Sequence, residues 1–131
     1  MTDADSGSRF LDRLSVLVVE DEAIISFLLE DMLTELGASD VRHAGTLAAA
    51  MAQIEARMPD IAVLDVNLGG ERVYPVAERL AAAGVRFLFT TGYGRSGMDP
   101  RWSAGIVVQK PFNLATMATA LKDALANLPS P

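Results

Sequence analysis

The sequence predicts an α/β domain, a doubly wound five-stranded parallel sheet flanked by helices, and three observations carry that reading. Five short apolar runs recur along the chain: "VLVV" (16–19), "VRHA" (41–44), "IAVLD" (61–65), "RFLFT" (86–90) and "IVVQ" (106–109). Most do not alternate in polarity, as suits strands buried on both faces. Helical patterns separate all but the last pair, giving the order β-α-β-α-β-α-β-x-β-α. Alternation of this kind produces right-handed crossovers between parallel strands.

Each helix has its own signature. Ile25, Leu28, Leu29, Met32 and Leu36 follow the spacing of one helical face, and Gly37 can close that helix in a left-handed conformation. Thr46 caps a second helix whose stripe is Leu47, Met51, Ile54 and Met58, ended by Pro59. A third carries Val73, Val76, Ala77 and Leu80 and stops at Gly84. The last starts at Asn113 and runs through Leu114, Met117, Leu121, Leu125 and Leu128.

The segment "x" is "GYGRSGMDPRWSAG" (92–105), which has no apolar stripe at helical spacing. Each interior glycine costs a helix about 1 kcal/mol relative to alanine, and the residue before Pro100 is pushed away from helical geometry. An irregular segment is therefore expected where a fourth helix would stand. It is either a permanently ordered loop or a run that orders in response to a charge change. Residues 1–131 read as a single domain with its core at about 14–127, the first dozen residues and the final "LPSP" being frayed.

Composition narrows the function. Seventeen acidic against eleven basic residues give a net charge of −6, which disfavours binding to nucleic acid. The chain contains no cysteine, excluding disulfides, thiolate metal sites and cysteine nucleophiles. The polar opening "MTDADSGSRF" lacks the apolar core of a signal peptide, and no run approaches the ~18 apolar residues of a membrane span. A soluble, cytoplasmic domain is expected.

In such folds the chemistry lies beyond the carboxyl ends of the strands. There the sequence places Glu20-Asp21-Glu22, Asp65, Thr90-Thr91 and Lys110-Pro111. Taken singly, each has an ordinary explanation: helix N-terminal charge, strand hydroxyl, strand terminator. Together they gather carboxylates that are costly to bury without a compensating cation. Mg2+, a hard ion that prefers oxygen, fits this set, with Asp21 and Asp65 as direct ligands and Glu20 direct or through water; Mn2+ is a chemically similar substitute. A carboxylate beside Mg2+ can accept a phosphoryl group as an acyl phosphate, and Asp65 is the candidate phosphoacceptor. Lys110 would neutralise the phosphoryl oxygens and the Thr91 hydroxyl would donate to one of them. The lone histidine, His43, ends a strand away from this group.

"VLVVEDE", "AVLDVNL", "FTTG" and "QKPF", in that order and each at a strand end, resemble the receiver domain of bacterial two-component response regulators. The interval from Asp21 to Asp65 (65 − 21 = 44) is also similar. The resemblance implies phosphorylation of Asp65 by a histidine kinase or phosphotransfer protein, and the Asn67 backbone carbonyl as a further Mg2+ ligand. It also implies a cis Lys110–Pro111 peptide, with Asn67 and Tyr93 tuning loss of the phosphoryl group. "FLFTTGYG" is similar to the signature of the FATGUY subgroup, mostly single-domain receivers with an irregular fourth helix. Only 21 residues follow Lys110 (131 − 110 = 21), so a stand-alone domain is expected, acting through protein contacts or as a phosphate sink. One departure is Val107, where the family often has an aromatic residue three positions before the lysine. A haloacid dehalogenase-like phosphatase would also use Asp65 as nucleophile, but Asn67 stands where it needs its acid. A flavin binder would need a hydroxyl-rich loop in place of "EDE".

Overall fold

The computed structural model describes residues 9–126. In chain order its elements are β1 Ser15–Val19, α1 Ala23–Glu35, β2 Asp40–Ala44, α2 Leu47–Ala56, β3 Ile61–Asp65, β4 Asn67–Leu68, β5 Glu71–Arg72, α3 Tyr74–Ala82, β6 Arg86–Thr91, a 3₁₀ turn Arg95–Gly97, β7 Val107–Gln109 and α4 Leu114–Ala126. Five of the strands form a parallel sheet in the order β2-β1-β3-β6-β7, while β4 and β5 make a small antiparallel hairpin directly after β3. Because β3 and β6 lie on one side of β1 and β2 on the other, the order reverses at β1, and the strand ends beside it open into a crevice.

Strand alternation divides the core into two layers. Leu17, Val19, Ala62, Leu64, Phe87 and Phe89 meet α2 and α3 through Ala50, Ile54, Val76, Ala77 and Leu80. Val16, Val18, Ile61, Val63, Leu88 and Val108 meet α1 and α4 through Leu29, Leu33, Met117, Leu121 and Ala124. The expected Thr46 cap is present: its hydroxyl accepts the Ala49 N–H at 3.0 Å. At the opposite end of the sheet from the crevice, Asp60 clasps Ser15, taking its N–H at 2.7 Å and its hydroxyl at 3.2 Å.

Two expectations are corrected. Leu28, placed on the buried stripe of α1, is 47% exposed, and Leu33 is buried in its stead. This helix is apolar nearly all round, so its sequence does not choose a face; packing does, through Leu29, Leu33 and Leu36. Ile24 and Phe27 point outward with Leu28, at 75% and 67% exposure. Fraying also does not extend over residues 9–12. Leu11 is fully buried and its N–H donates to the Leu36 carbonyl at 3.0 Å. Gly37 has φ +111°, and a Cβ there would lie 2.9 Å from the Arg9 carbonyl oxygen, so glycine lets this turn close on the end of α1. The rest of that expectation, residues 1–8 and the final "LPSP", falls outside the described residues.

The segment after β6 is irregular but anchored. Met98 and Trp102 are buried, and the Trp102 ring lies 5.9 Å from Phe87 and 6.0 Å from Phe89, between centroids. Arg95 closes the turn by donating to the Ser103 and Gly105 carbonyls at 2.6 and 2.7 Å. The Asp99 N–H donates to the Tyr74 hydroxyl at 2.9 Å. Aromatic packing here replaces the apolar stripe that a helix would have used. Among the described residues no helix is long and apolar enough to cross a membrane.

Candidate functional site

The alternation that sends Val16 and Val18 towards α1 also sends Glu20, the next residue on that face. Asp65 follows Val63, Thr90 follows Leu88 and Lys110 follows Val108 on the same side. Four polar groups thus reach one end of an aliphatic layer. Lys110 Nζ lies 2.9 Å from Glu20 Oε1, 3.3 Å from Asp65 Oδ2 and 3.6 Å from Glu22 Oε1. Asp65 Oδ1 accepts the Asn67 N–H at 3.3 Å, and Glu20 Oε2 accepts the Glu22 N–H at 3.0 Å. Asp21, exposed at the rim, accepts the N–H of Gly69 at 3.1 Å, which ties the β4–β5 turn to the end of β1. The Lys110–Pro111 peptide is cis.

Burial pushes the Asp65 carboxyl up to about 7, and the negative charge of Glu20 adds to this against the opposing pull of Lys110. For Lys110 burial works to lower the pKa. It is outweighed by the hydrogen bond to Glu20 and the charges of Asp65 and Glu20, so the ammonium titrates above its usual range. Near neutral pH the cluster therefore holds a fixed positive charge next to a carboxyl poised between its two forms.

Other expected site residues are placed differently. Thr91 is buried, but alternation turns it to the α2/α3 face, where its hydroxyl accepts the Tyr93 N–H at 3.1 Å. Among the described residues no hydrogen bond joins it to Asp65. Tyr93 is 74% exposed and lines a shallow cleft with Asn67, Gly70, Arg72, Ser96 and Gly97. The Asn67 side-chain oxygen accepts from Arg72 at 2.7 Å. His43 lies outside the cluster, bonded to Ser26 at 2.6 Å and Glu30 at 3.1 Å. Sequence reasoning gave no role to Glu22, Gly69, Arg72 or Thr90. The glycine pair after β4 was the available signal for the turn on Asp21; nothing in the sequence announced Arg72.

Residues 16–122 match the family described as "Response regulator receiver domain". The chain belongs to this family. Among solved structures, the receiver is similar to SdrG from Sphingomonas melonis Fr1, with 43% identity, a TM-score of 0.78, and 86% of this chain and 96% of that one covered. The BeF3-activated conformation of SdrG, given there as from Pseudomonas melonis Fr1, is 44% identical over the same shares, with a TM-score of 0.74. The receiver domain of PhyR from Erythrobacter litoralis is 28% identical, covers 92% of this chain and 96% of its own, and has a TM-score of 0.76. No curated protein matches the chain.

Receivers commonly bind Mg2+, and the residues of this receiver fit the ion. Carboxylate oxygens of Glu20, Asp21 and Asp65 lie within 4.8 Å of one another. Glu20 Oε1 is buried and meets the Lys110 ammonium at 2.9 Å. An all-oxygen set of three carboxylates suits a hard divalent cation and offers nothing to a soft one. Receivers are not classical enzymes; they act with histidine kinases or phosphotransfer proteins.

Proposed function

We propose that this receiver accepts a phosphoryl group on Asp65 from a histidine kinase or phosphotransfer protein and signals as a stand-alone domain through protein contacts. The supporting observation is the Lys110 ammonium held between Glu20 and Asp65 beside a carboxylate set that fits Mg2+. In the transfer an Asp65 carboxylate oxygen bonds to phosphorus as the phosphorus–nitrogen bond to the donor imidazole breaks, and the imidazole keeps the electron pair. Mg2+, when bound to Glu20, Asp21, Asp65 and the Asn67 carbonyl, supplies charge neutralisation; Mn2+ is a substitute. Lys110 is already within reach of the incoming oxygens. The Thr91 hydroxyl accepts the Tyr93 N–H and keeps its own hydrogen for donation, so it contacts the phosphoryl group by turning round the end of β6, which pulls on the irregular segment.

The exposed Ile24, Phe27 and Leu28 lie on α1 just past the acidic pair, and an apolar patch rimmed by charge supports docking by a protein donor. The "FLFTTGYG" run and the irregular segment support a place in the FATGUY subgroup, and the BeF3-activated form of SdrG makes beryllofluoride an apt mimic here. Asn67 and Tyr93, around the shallow cleft, would tune hydrolysis of the acyl phosphate. A haloacid dehalogenase-like hydrolysis is not favoured, because Asn67 carries no transferable proton. Incubation with acetyl phosphate and Mg2+ tests the reading. One phosphoryl mass should appear on wild type and be lost in Asp65→Asn; equal labelling of both would overturn it.

A further inference from the structure

Thr90 is 0% exposed, and among the described residues its hydroxyl has no hydrogen-bond partner. A buried, unpaired hydroxyl is costly, and valine would fill the same space without it. Its position makes this notable. Thr90 is the direct partner of Asp65 across the β3–β6 pairing, and the two side chains share a face. Lys110 follows β7, on the far side of β6, yet its ammonium contacts Asp65 and Glu20. Its stem therefore crosses β6 on the face that carries Thr90. The Thr90 side chain thus lies beside the acceptor carboxylate, on the face that the Lys110 stem crosses.

We propose that Thr90 is a second hydroxyl of the acceptor site, unpaired in the resting protein and turned onto the phosphoryl group once Asp65 carries one. The proposal rests on Asp65 being the acceptor. One staggered rotation about Cα–Cβ carries a threonine hydroxyl to a neighbouring rotamer position with no backbone movement. In the resting site Asp65 already accepts from Lys110 and Asn67. A phosphoryl group adds three strong acceptor oxygens beside this donor. Thr91 reaches those oxygens by coming round the strand end, whereas Thr90 reaches them from within the sheet.

Thermal unfolding of the full chain, with and without beryllofluoride and Mg2+, tests this in wild type, Thr90→Val, Thr90→Ser and Asp65→Asn. Without the mimic, Thr90→Val should unfold about 3 °C or more above wild type, because the unpaired hydroxyl is gone. With the mimic, wild type should gain more than Thr90→Val by a similar margin, and Thr90→Ser should follow wild type. An unchanged or lower resting midpoint for Thr90→Val, or equal gains in it and wild type, would overturn the role of Thr90. If wild type gains no more than Asp65→Asn, the acceptor assignment itself fails, and the proposal with it.

Discussion

Facing α1 and α4, the sheet carries aliphatic side chains until the strands end in Glu20, Asp65, Thr90 and Lys110. Facing α2 and α3, the same strands carry Phe87 and Phe89, packed with Tyr74 and Trp102 at centroid distances of 5.5 to 6.1 Å. One layer ends in charge and the other in rings. The contrast shows how a receiver dispenses with a regular helix. Edge-to-face aromatic contacts hold an irregular segment by a few large anchors, while the charged layer, which must fix several oxygens relative to one another, is backed by two full helices. Strand β6 belongs to both: Leu88 and Thr90 point one way, Phe89 and Thr91 the other.

If the layers are energetically separate, Trp102→Ala should cost about 3–5 kcal/mol of stability yet leave Asp65 labelling intact wherever the variant is folded. Denaturant unfolding and phosphoryl mass, measured on one sample, check this; lost labelling in the folded variant would join the layers. A smaller effect in the opposite direction, a gain of the order of 2–4 kcal/mol over wild type, is expected from Asp65→Asn at pH 8 without metal. The folded-state pKa of about 7 stands above the ordinary carboxyl value of 3.8, so the native state holds the proton more tightly. The stability this contributes is complete below about pH 4 and lost as pH rises through 7. Wild type should therefore weaken over that window while Asp65→Asn changes little, and parallel pH profiles would contradict the buried, charge-repelled acceptor.

Asp21→Ala should weaken Mg2+ binding about tenfold or more, near 1.4 kcal/mol, in a calorimetric titration. Equal affinity would remove Asp21 from the site. The smallest effect is expected where the layers meet at the surface. Tyr93→Ala should change the half-life of phospho-Asp65 by only about two- to fivefold, a fraction of a kcal/mol to about 1. An unchanged half-life would make Tyr93 a bystander of the cleft.

Legibility in the sequence followed the strength of the local signal. Continuous apolar runs have few alternatives, so β1, β3 and β6 lie where their sequences place them, and α2 starts from its Thr46 cap but ends at Ala56, short of the expected Met58. α1, apolar on most of its circumference, gave no basis for choosing Leu33 over Leu28. Glu20, Asp21, Asp65 and Lys110 were foreseen to converge because strand ends in this topology share one crevice. That Lys110 would cross β6 to pair with Glu20, or that Thr91 would rest on the opposite face, depends on strand phase and side-chain reach. Neither is encoded in spacing alone. Trp102 packs against the rings of Phe87 and Phe89, a placement that no helical spacing announces.

The Ser15–Asp60 clasp has a consequence at the far end of the sheet. It joins the starts of β1 and β3, 45 positions apart in the chain, some five residues or about 17 Å below the acceptor carboxylate. Parallel strands have a side-chain period of two, so a slip of one residue between β1 and β3 would send Glu20 or Asp65 into the aromatic layer. By fastening the two strands in phase before either reaches the crevice, a buried serine and an exposed aspartate act as the index mark from which the acidic site is counted out.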